Sequence, residues 1–547
     1  MSRLARALPK DESHCSSLMC YTTWMSRSKM RSCTNSKRGQ ITAPVIVSFV
    51  LIVVSIVAIR WISRPTGAPS KLNGELIVYC AAGIRPAVEP ILQEYESEYG
   101  AKTSLHLGPS GGLEAQIRLS DRGDLFVPAA VDPFLKRLRA DSLVDEILPV
   151  AELRLVIAVS PNVEKIPASL AELMDGGFSF GLCNEQAAAG QRTKKALARV
   201  GLWDRVFSAA KATLPTVTEL AEAIRDGGKL DAGITWSTTA KQFELQHVEV
   251  PELAHSRATV GVGVLGTTHD PTAALRLARY LAAKDRGQLF FQQHHYDALP
   301  GDPWIETPRL TLYSGTVNRH AIKDSLREFE TREGCEIATV FDGCGTLVGM
   351  MKTGTDPDAY FACDVSYVEQ VSERFLEAVE ISENPLVILV REGNPMNIES
   401  LEDLSREDVV VGLCDPDLSA LGSLTRRLLR EEGVYQQSVR SGAITVTTGD
   451  LLVAQMLAGD KLDAVVVYRA NCVKALDELE LVRIDHPLAM AIQPFSVHRE
   501  AAYPQLTARL CDYLTSGQSR KRFEKWGFRW RANRAGIRNG SKTNMGL

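Results

Sequence analysis

The chain has 547 residues, of which 45% are hydrophobic and 23% charged, and it carries a formal net charge of −4. At roughly 150 residues per domain this is room for about three to four compact units, and the composition is that of a globular protein, not a disordered one. The charge gives no global signal for nucleic acid, so no nucleic-acid partner is expected. There are 11 cysteines but no C-x-x-C, which excludes zinc-ribbon and thioredoxin readings.

Residues 1–40 are basic, with Arg3, Arg6, Lys10, Arg27, Lys29, Arg31, Lys37 and Arg38 against Asp11 and Glu12 alone. ITAPVIVSFVLIVVSIVAI, residues 41–59, follows without a charge. A run of that length can cross a bilayer as a helix, and a basic N-terminal flank keeps that flank in the cytoplasm. It is longer than the usual apolar core of a cleaved signal peptide, and it runs into the interfacial pair Arg60-Trp61. The expectation is a membrane anchor over 41–62, a cytoplasmic segment over 1–40, a linker over 63–73 and an extracytoplasmic body, periplasmic or cell-surface.

From residue 74 the chain reads twice. GELIVYCAAGIRPAVEPILQEYESEYG opens the first copy and PRLTLYSGTVNRHAIKDSLREFETREG the second. Each is a β-type run, a short loop and a helix-period segment ending at Gly100 or Gly334. GPSGGLEAQI pairs with DGCGTLVGMM, GDLFVPAAVDPFL with PDAYFACDVSYV, and LRLVIAVSPN with NPLVILVREGN. FGLCNEQAAAGQRTKKAL pairs with VGLCDPDLSALGSLTRRLL, and PTVTELAEAIRDGGKLDAGITW with TTGDLLVAQMLAGDKLDAVVVY. Asp124 and Asp358 are 234 positions apart, Trp236 and Tyr468 232. This is a tandem duplication: repeat 1 over 74–300, a joint GDPWIETP over 301–308, repeat 2 over 309–530, and a basic tail over 531–547.

Within each repeat β-type runs alternate with amphipathic helices, which predicts an α/β fold with mainly parallel sheet. Each repeat is large for one lobe, so two lobes per repeat are expected. In such folds ligands sit beyond the carboxyl ends of strands, where loops open helices.

Gly108-Pro109-Ser110-Gly111-Gly112 fits G-x-S-x-G, the nucleophile-elbow pattern. It equally fits an anion loop, because a helix start offers unpaired N–H groups and glycines let the backbone approach a ligand. The second copy has Asp342-Gly343-Cys344-Gly345-Thr346, and no histidine holds a matched position in both copies, so the duplication favours a ligand loop over a hydrolase. A helix cap remains the plain structural reading of Ser110. Arg85 and Arg319 stand at helix entrances, where an arginine can pair with an anion or simply face solvent. Trp236 and Tyr468 end matched strands, placed either to lean into a cleft or to pack in a core. Cys344, Cys363 and Cys414 fall on strand-end segments; they read as soft metal ligands, as buried thiols, or as a Cys344–Cys363 disulfide.

These segments in this order resemble the periplasmic molybdate-binding proteins of ABC importers, which have the type II solute-binding fold. The resemblance covers residues 75–300 and 309–530 and rests on LIVYCAAGIRPAV, LHLGPSGGLEAQI, GDLFVPAAVD, the AAAG helix start, LPTVTELAEAI and DAGITW, with SGQSRKRFEKWGF similar to the family's last helix. It implies two tandem type II binding folds behind one transmembrane helix. It also implies no enzyme activity, no cofactor, and a small oxyanion handed to a permease and ATPase complex. The family holds its oxyanion with neutral donors. Carried across, Ser110 with Gly111 matches the second-loop serine, Ala189 the helix-start alanine, Val217 the backbone contact before a helix, and Trp236 the tyrosine. Gly83 stands where the first serine is expected, with Arg85 two residues on. In repeat 2 the equivalents are Val317, Cys344, Gly449 and Tyr468, with Arg319 parallel to Arg85. Three other functions stay open on the sequence: a sensor or scaffold with degenerate clefts, a metal site in repeat 2, and a serine hydrolase using Ser110.

Overall fold

A sheet that switches neighbours half-way along one long strand organises each repeat. In the computed structural model the described residues are 74–226, 229–440, 444–459 and 461–532. The expected cytoplasmic segment, the membrane anchor, nearly all of the linker and the tail from residue 533 lie outside them. Among the described residues no helix is long and apolar enough to cross a membrane.

Repeat 1 contains strands β1 (Glu75–Ala81), β2 (Lys102–Gly108), β3 (Leu125–Val127), β4 (Val144–Val159), β5 (Phe180–Cys183), β6 (Ala212–Leu214), β7 (Ala232–Trp236), β8 (Gln246–Val248), β9 (Arg257–Leu265) and β10 (Asp297–Ala298). The order is β2-β1-β3-β9-β4-β7-β5-β6. Val144 to Arg154 of β4 pair with β9, whereas Leu155 to Val159 pair with β7. The chain therefore passes from the first lobe to the second inside β4 and returns before β9. Repeat 2 repeats the plan with β11 (Arg309–Gly315), β12 (Glu336–Asp342), β13 (Ala359–Phe361), β14 (Val379–Arg391), β15 (Val411–Cys414), β16 (Ile444–Val446), β17 (Ala464–Tyr468), β18 (Leu479–Arg483), β19 (Met490–Val497) and β20 (Arg529–Trp530). There β14 crosses between Pro385, paired with β19, and Leu386, paired with β17.

The sheets are mixed, not mainly parallel. The outer strands β1, β2 and β3 are parallel, as are β5, β6 and β7, but β9 and β4 run antiparallel to their neighbours. The reason is the double crossing: a strand that leaves a lobe and one that returns to it enter the sheet in opposite senses. The sequence reading caught only the second half of β4, its continuous apolar run; the first half is interrupted by Asp145, Glu146 and Pro149.

Helices cover both sheets. The site-bearing ones are α1 (Arg85–Tyr99), α2 (Ser110–Leu119), α3 (Ala188–Arg199) and α4 (Val217–Arg225) in repeat 1. Helix α5 (Pro271–Ala282) follows β9 in repeat 1, and α6 (Arg319–Glu333), α7 (Cys344–Lys352), α8 (Ala420–Glu431), α9 (Gly449–Leu457) and α10 (Pro504–Leu514) belong to repeat 2. Helices α1 and α6 stop at Gly100 and Gly334, both left-handed with φ of 65° and 62°, a conformation that glycine adopts without the cost other residues meet.

The matched aspartates Asp124 and Asp358 are structural: each carboxylate accepts the first-strand N–H of its repeat, from Ile77 at 2.8 Å and from Thr311 at 2.7 Å. The two repeats share one compact unit. Arg332 of α6 reaches Glu146 at 2.5 Å and Asp145 at 2.8 Å in repeat 1, and Asp302 of the joint accepts the N–H groups of Gln505 and Leu506 at the start of α10.

Candidate functional site

Between the lobes of repeat 1 lies a cleft with about 360 Å³ of free space, its mouth included. Loops at strand ends build it. The turn after β1 supplies Gly83, the start of α2 supplies Ser110, the start of α3 supplies Ala189, the start of α4 supplies Val217, and the end of β7 supplies Trp236. The residues completing the lining are small or apolar, and no lining residue carries a charge.

The side chains of Ser110 and Trp236 in this lining have hydrogen-bonding capacity to spare. Ser110 is buried, and its Oγ accepts the N–H of Ala129 at 3.2 Å, which leaves the hydroxyl hydrogen free to donate. Trp236 is 2% exposed and its indole N–H has no protein partner. Helices α2 and α3 begin without a side-chain cap, at Pro109 and Ala187, so their first N–H groups add a partial positive charge. Helix α4 differs: Thr216 and Glu219 form a reciprocal capping box, with Thr216 Oγ1 accepting from Glu219 N–H at 3.1 Å.

Some lining residues escaped the sequence reading. Tyr296 donates from its hydroxyl to the carbonyl of Gly83 at 2.8 Å and so fixes the first loop, while burial holds its phenol well above the ordinary value. Leu153 enters the lining from β4 just before the strand changes lobes. Neither leaves a local pattern, since Tyr296 lies 213 residues from the loop it holds. Thr216 did leave one: T-x-x-E before an apolar run is the capping-box signature.

Two predicted residues sit elsewhere. Arg85 is half exposed and pairs with Glu89 one turn along α1, at 3.0 and 3.1 Å; it is not in the lining. Gly111 is also outside the lining, because its N–H is spent across the cleft on the carbonyl of Gln186 at 2.7 Å. Ser110 and Gly111 belong to one lobe and Gln186 to the other, so this bond fastens the lobes together.

The division of the chain into two like units is found by the family comparison too. The family described as "Bacterial extracellular solute-binding protein" matches residues 76–297 and again 310–529. The chain belongs to this family. Its members are non-enzymatic transport components. The molybdate-binding protein ModA of Mycobacterium bovis is 24% identical over 234 residues, covering 42% of this chain and 87% of that protein. A putative ABC transporter substrate-binding lipoprotein of Bacillus subtilis, YvgL, is 24% identical over 240 residues, covering 43% and 91%. Among solved structures, the substrate binding domain of a putative molybdenum ABC transporter from Clostridium difficile is 24% identical with a TM-score of 0.33, covering 41% of this chain and 99% of that one. The periplasmic molybdate-binding protein of Azotobacter vinelandii is 16% identical with a TM-score of 0.36, covering 41% and 99%. Each of these relatives has about the length of a single repeat.

The cleft of repeat 2 is built from the same loops but differently lined. It has about 270 Å³ of free space and includes Val317, Gly449 and Tyr468. Cys344 occupies the place of Ser110, and its Sγ accepts the N–H of Cys363 at 3.1 Å, as Ser110 Oγ accepts from Ala129. Cys344 itself is fully buried behind the lining, while Cys363 reaches it. The Cys363 thiol is held well above its ordinary value, by its hydrogen bond to Cys344 and then by burial. Both are free thiols, as is Cys414. Among the described residues no group of three histidine, cysteine or acidic side chains could hold a metal ion, so Cys344, Cys363 and Cys414 do not form the metal site that their sequence positions allowed. Arg319 lies outside this lining too; its guanidinium covers the ring of Phe341 at 4.8 Å.

Proposed function

We propose that repeat 1 binds a small oxyanion of the molybdate or tungstate type, and that the chain, held at the membrane through residues 41–59, presents it to an ABC permease and ATPase complex. The observation that supports this most is the indole of Trp236. An indole N–H can only donate; here it is buried in the cleft lining and unpartnered, so only an acceptor satisfies it. Ser110 and the uncapped starts of α2 and α3 add donors around the same space.

Neutral donors in an uncharged cleft favour a compact anion. A fixed N–H or O–H dipole costs no desolvation of a countercharge, whereas a buried arginine would have to be stripped of water first. The ModA relative of Mycobacterium bovis carries molybdate in its own name, and the basic flank of residues 41–59 supports an extracytoplasmic body.

The test is thermal melting of the full chain against molybdate, tungstate, sulfate and phosphate. A ligand that binds only the folded state adds about 2.7 kcal/mol at a hundredfold excess over its Kd. At least one oxyanion should raise the melting temperature, and Trp236→Phe and Ser110→Ala should each reduce the shift. No shift with any of the four oxyanions would end this reading.

A further inference from the structure

The two clefts differ in charge. Where repeat 1 has Gly108 and Thr218, repeat 2 has Asp342 and Asp450, and both line the cleft. Where repeat 1 has Ala130, repeat 2 has Asp364, buried directly behind Cys363. Three neutral positions have become carboxylates around one small space.

None of the three makes an ion pair among the described residues. Asp342 accepts the N–H of Gly343 at 2.6 Å, and Asp450 accepts the side-chain amide of Asn471 at 2.7 Å. Asp364 accepts from the N–H and hydroxyl of Ser366, with a longer bond from Ile492 N–H at 3.4 Å. Lys474 and His320 lie on the ring of Trp526, and Arg319 on that of Phe341. An independent feature points to a ligand in the same place. Tyr468 is 2% exposed, lines the cleft, and its hydroxyl has no partner.

We propose that the repeat 2 cleft takes a small ligand bearing an ammonium group, not a second oxyanion. An ammonium donates up to three hydrogen bonds and accepts none. Asp342, Asp450 and the Tyr468 hydroxyl are acceptors for it, and the tyrosine ring offers a face to a cation. An oxyanion would meet two carboxylates on entering. Among the described residues no three histidine, cysteine or acidic side chains come close enough together to hold a bare metal ion. The chain is then a two-solute protein with an anion cleft and a cation cleft.

The test uses the full chain and isothermal titration with ethanolamine, putrescine and methylamine, each with and without saturating molybdate. At least one of the three should bind with one site per chain. Its affinity should fall by about tenfold or more in Asp342→Asn and in Asp450→Asn, as expected for a lost charge-assisted bond, while Trp236→Phe leaves it unchanged. The melting transition without ligand checks that each variant folds. The proposal is overturned if none of the three amines binds the wild-type chain, or if binding survives Asp342→Asn combined with Asp450→Asn. It is also overturned if molybdate titrates to two sites per chain. Because the oxyanion reading of repeat 1 is read from Trp236→Phe and Ser110→Ala, failure of either idea leaves the other standing.

Discussion

A Cβ placed on Gly83 would lie 2.5 Å from Cγ2 of Val217. Gly83 lies mid-way in the turn after β1 in one lobe, and Val217 opens α4 in the other, so valine fills the room a serine at position 83 would need. In repeat 2 the sizes are exchanged: Val317 faces the cleft from the first loop and Gly449 from the helix start. Gly83→Val alone should therefore cost about 1–3 kcal/mol of stability by overpacking, or hold the lobes apart. Gly83→Val combined with Val217→Gly copies the arrangement of repeat 2 and should recover most of the loss. Additive losses in denaturant melts of the single and double variants would show that the two positions do not meet.

The bond from Gly111 N–H to Gln186 O has its counterpart in repeat 2, where Gly345 N–H donates to Leu418 O at 3.0 Å. A Cβ on Gly111 would come within 2.9 Å of the Gln186 carbonyl oxygen. The helix itself tolerates a side chain there, so the demand for glycine arises only when the lobes shut. Gly111→Val should leave the open form intact and weaken the repeat 1 ligand by about tenfold or more, since closure must be given up or strained. Scattering should show the wild-type chain compacting on ligand addition and the variant doing so less. Equal compaction and equal affinity would dismiss the latch.

The duplication made much of this legible. Residues matched in both copies, such as Trp236 with Tyr468 and Gly100 with Gly334, mark positions where geometry and not chance sets the residue, and the loops that carry Gly83, Ser110, Ala189 and Val217 meet in one cleft. What could not be read was long-range or orientational. Tyr296 holds a loop 213 residues away, and the mixed sheet follows from a double crossing that no local pattern announces. Arg85 is different, because its pairing with Glu89 is an i,i+4 contact visible in the sequence; the helix entrance drew attention from it. The stacking of Arg319 on Phe341 joins a helix to a neighbouring strand and had no such signal.

The buried thiols should be chemically silent. Burial raises Cys183, Cys414, Cys472 and Cys511 to about 12 each, so at pH 8 almost none is thiolate, the form that reacts. Iodoacetamide at that pH should leave these four unmodified in the native chain and alkylate them after denaturation. The linkage has a definite sign. An unfolded cysteine releases its proton near 8.5 and the folded one only near 12, so stability is retained below about 8.5 and lost progressively as pH rises toward 12. Rapid native alkylation of any of the four would show that its pocket is open.

Arg509 and Glu333 form the most deeply buried ion pair among the described residues, with 9% and 1% of their side chains exposed. The guanidinium grips the carboxylate at two points, Nε to Oε1 at 2.6 Å and Nη2 to Oε2 at 2.9 Å. Glu333 ends α6 next to Arg332, which reaches into repeat 1 through Glu146 and Asp145. Arg509→Met would leave the Glu333 carboxylate buried without its partner and should cost about 3–5 kcal/mol. Replacing both, as Arg509→Met with Glu333→Leu, removes the stranded charge and should restore most of that stability, because an apolar pair of similar volume needs no desolvation. If the double variant melts as low as the single one, the pair acts through shape and not charge. If the single variant melts like the wild type, water reaches Glu333 and the pair is not buried in solution.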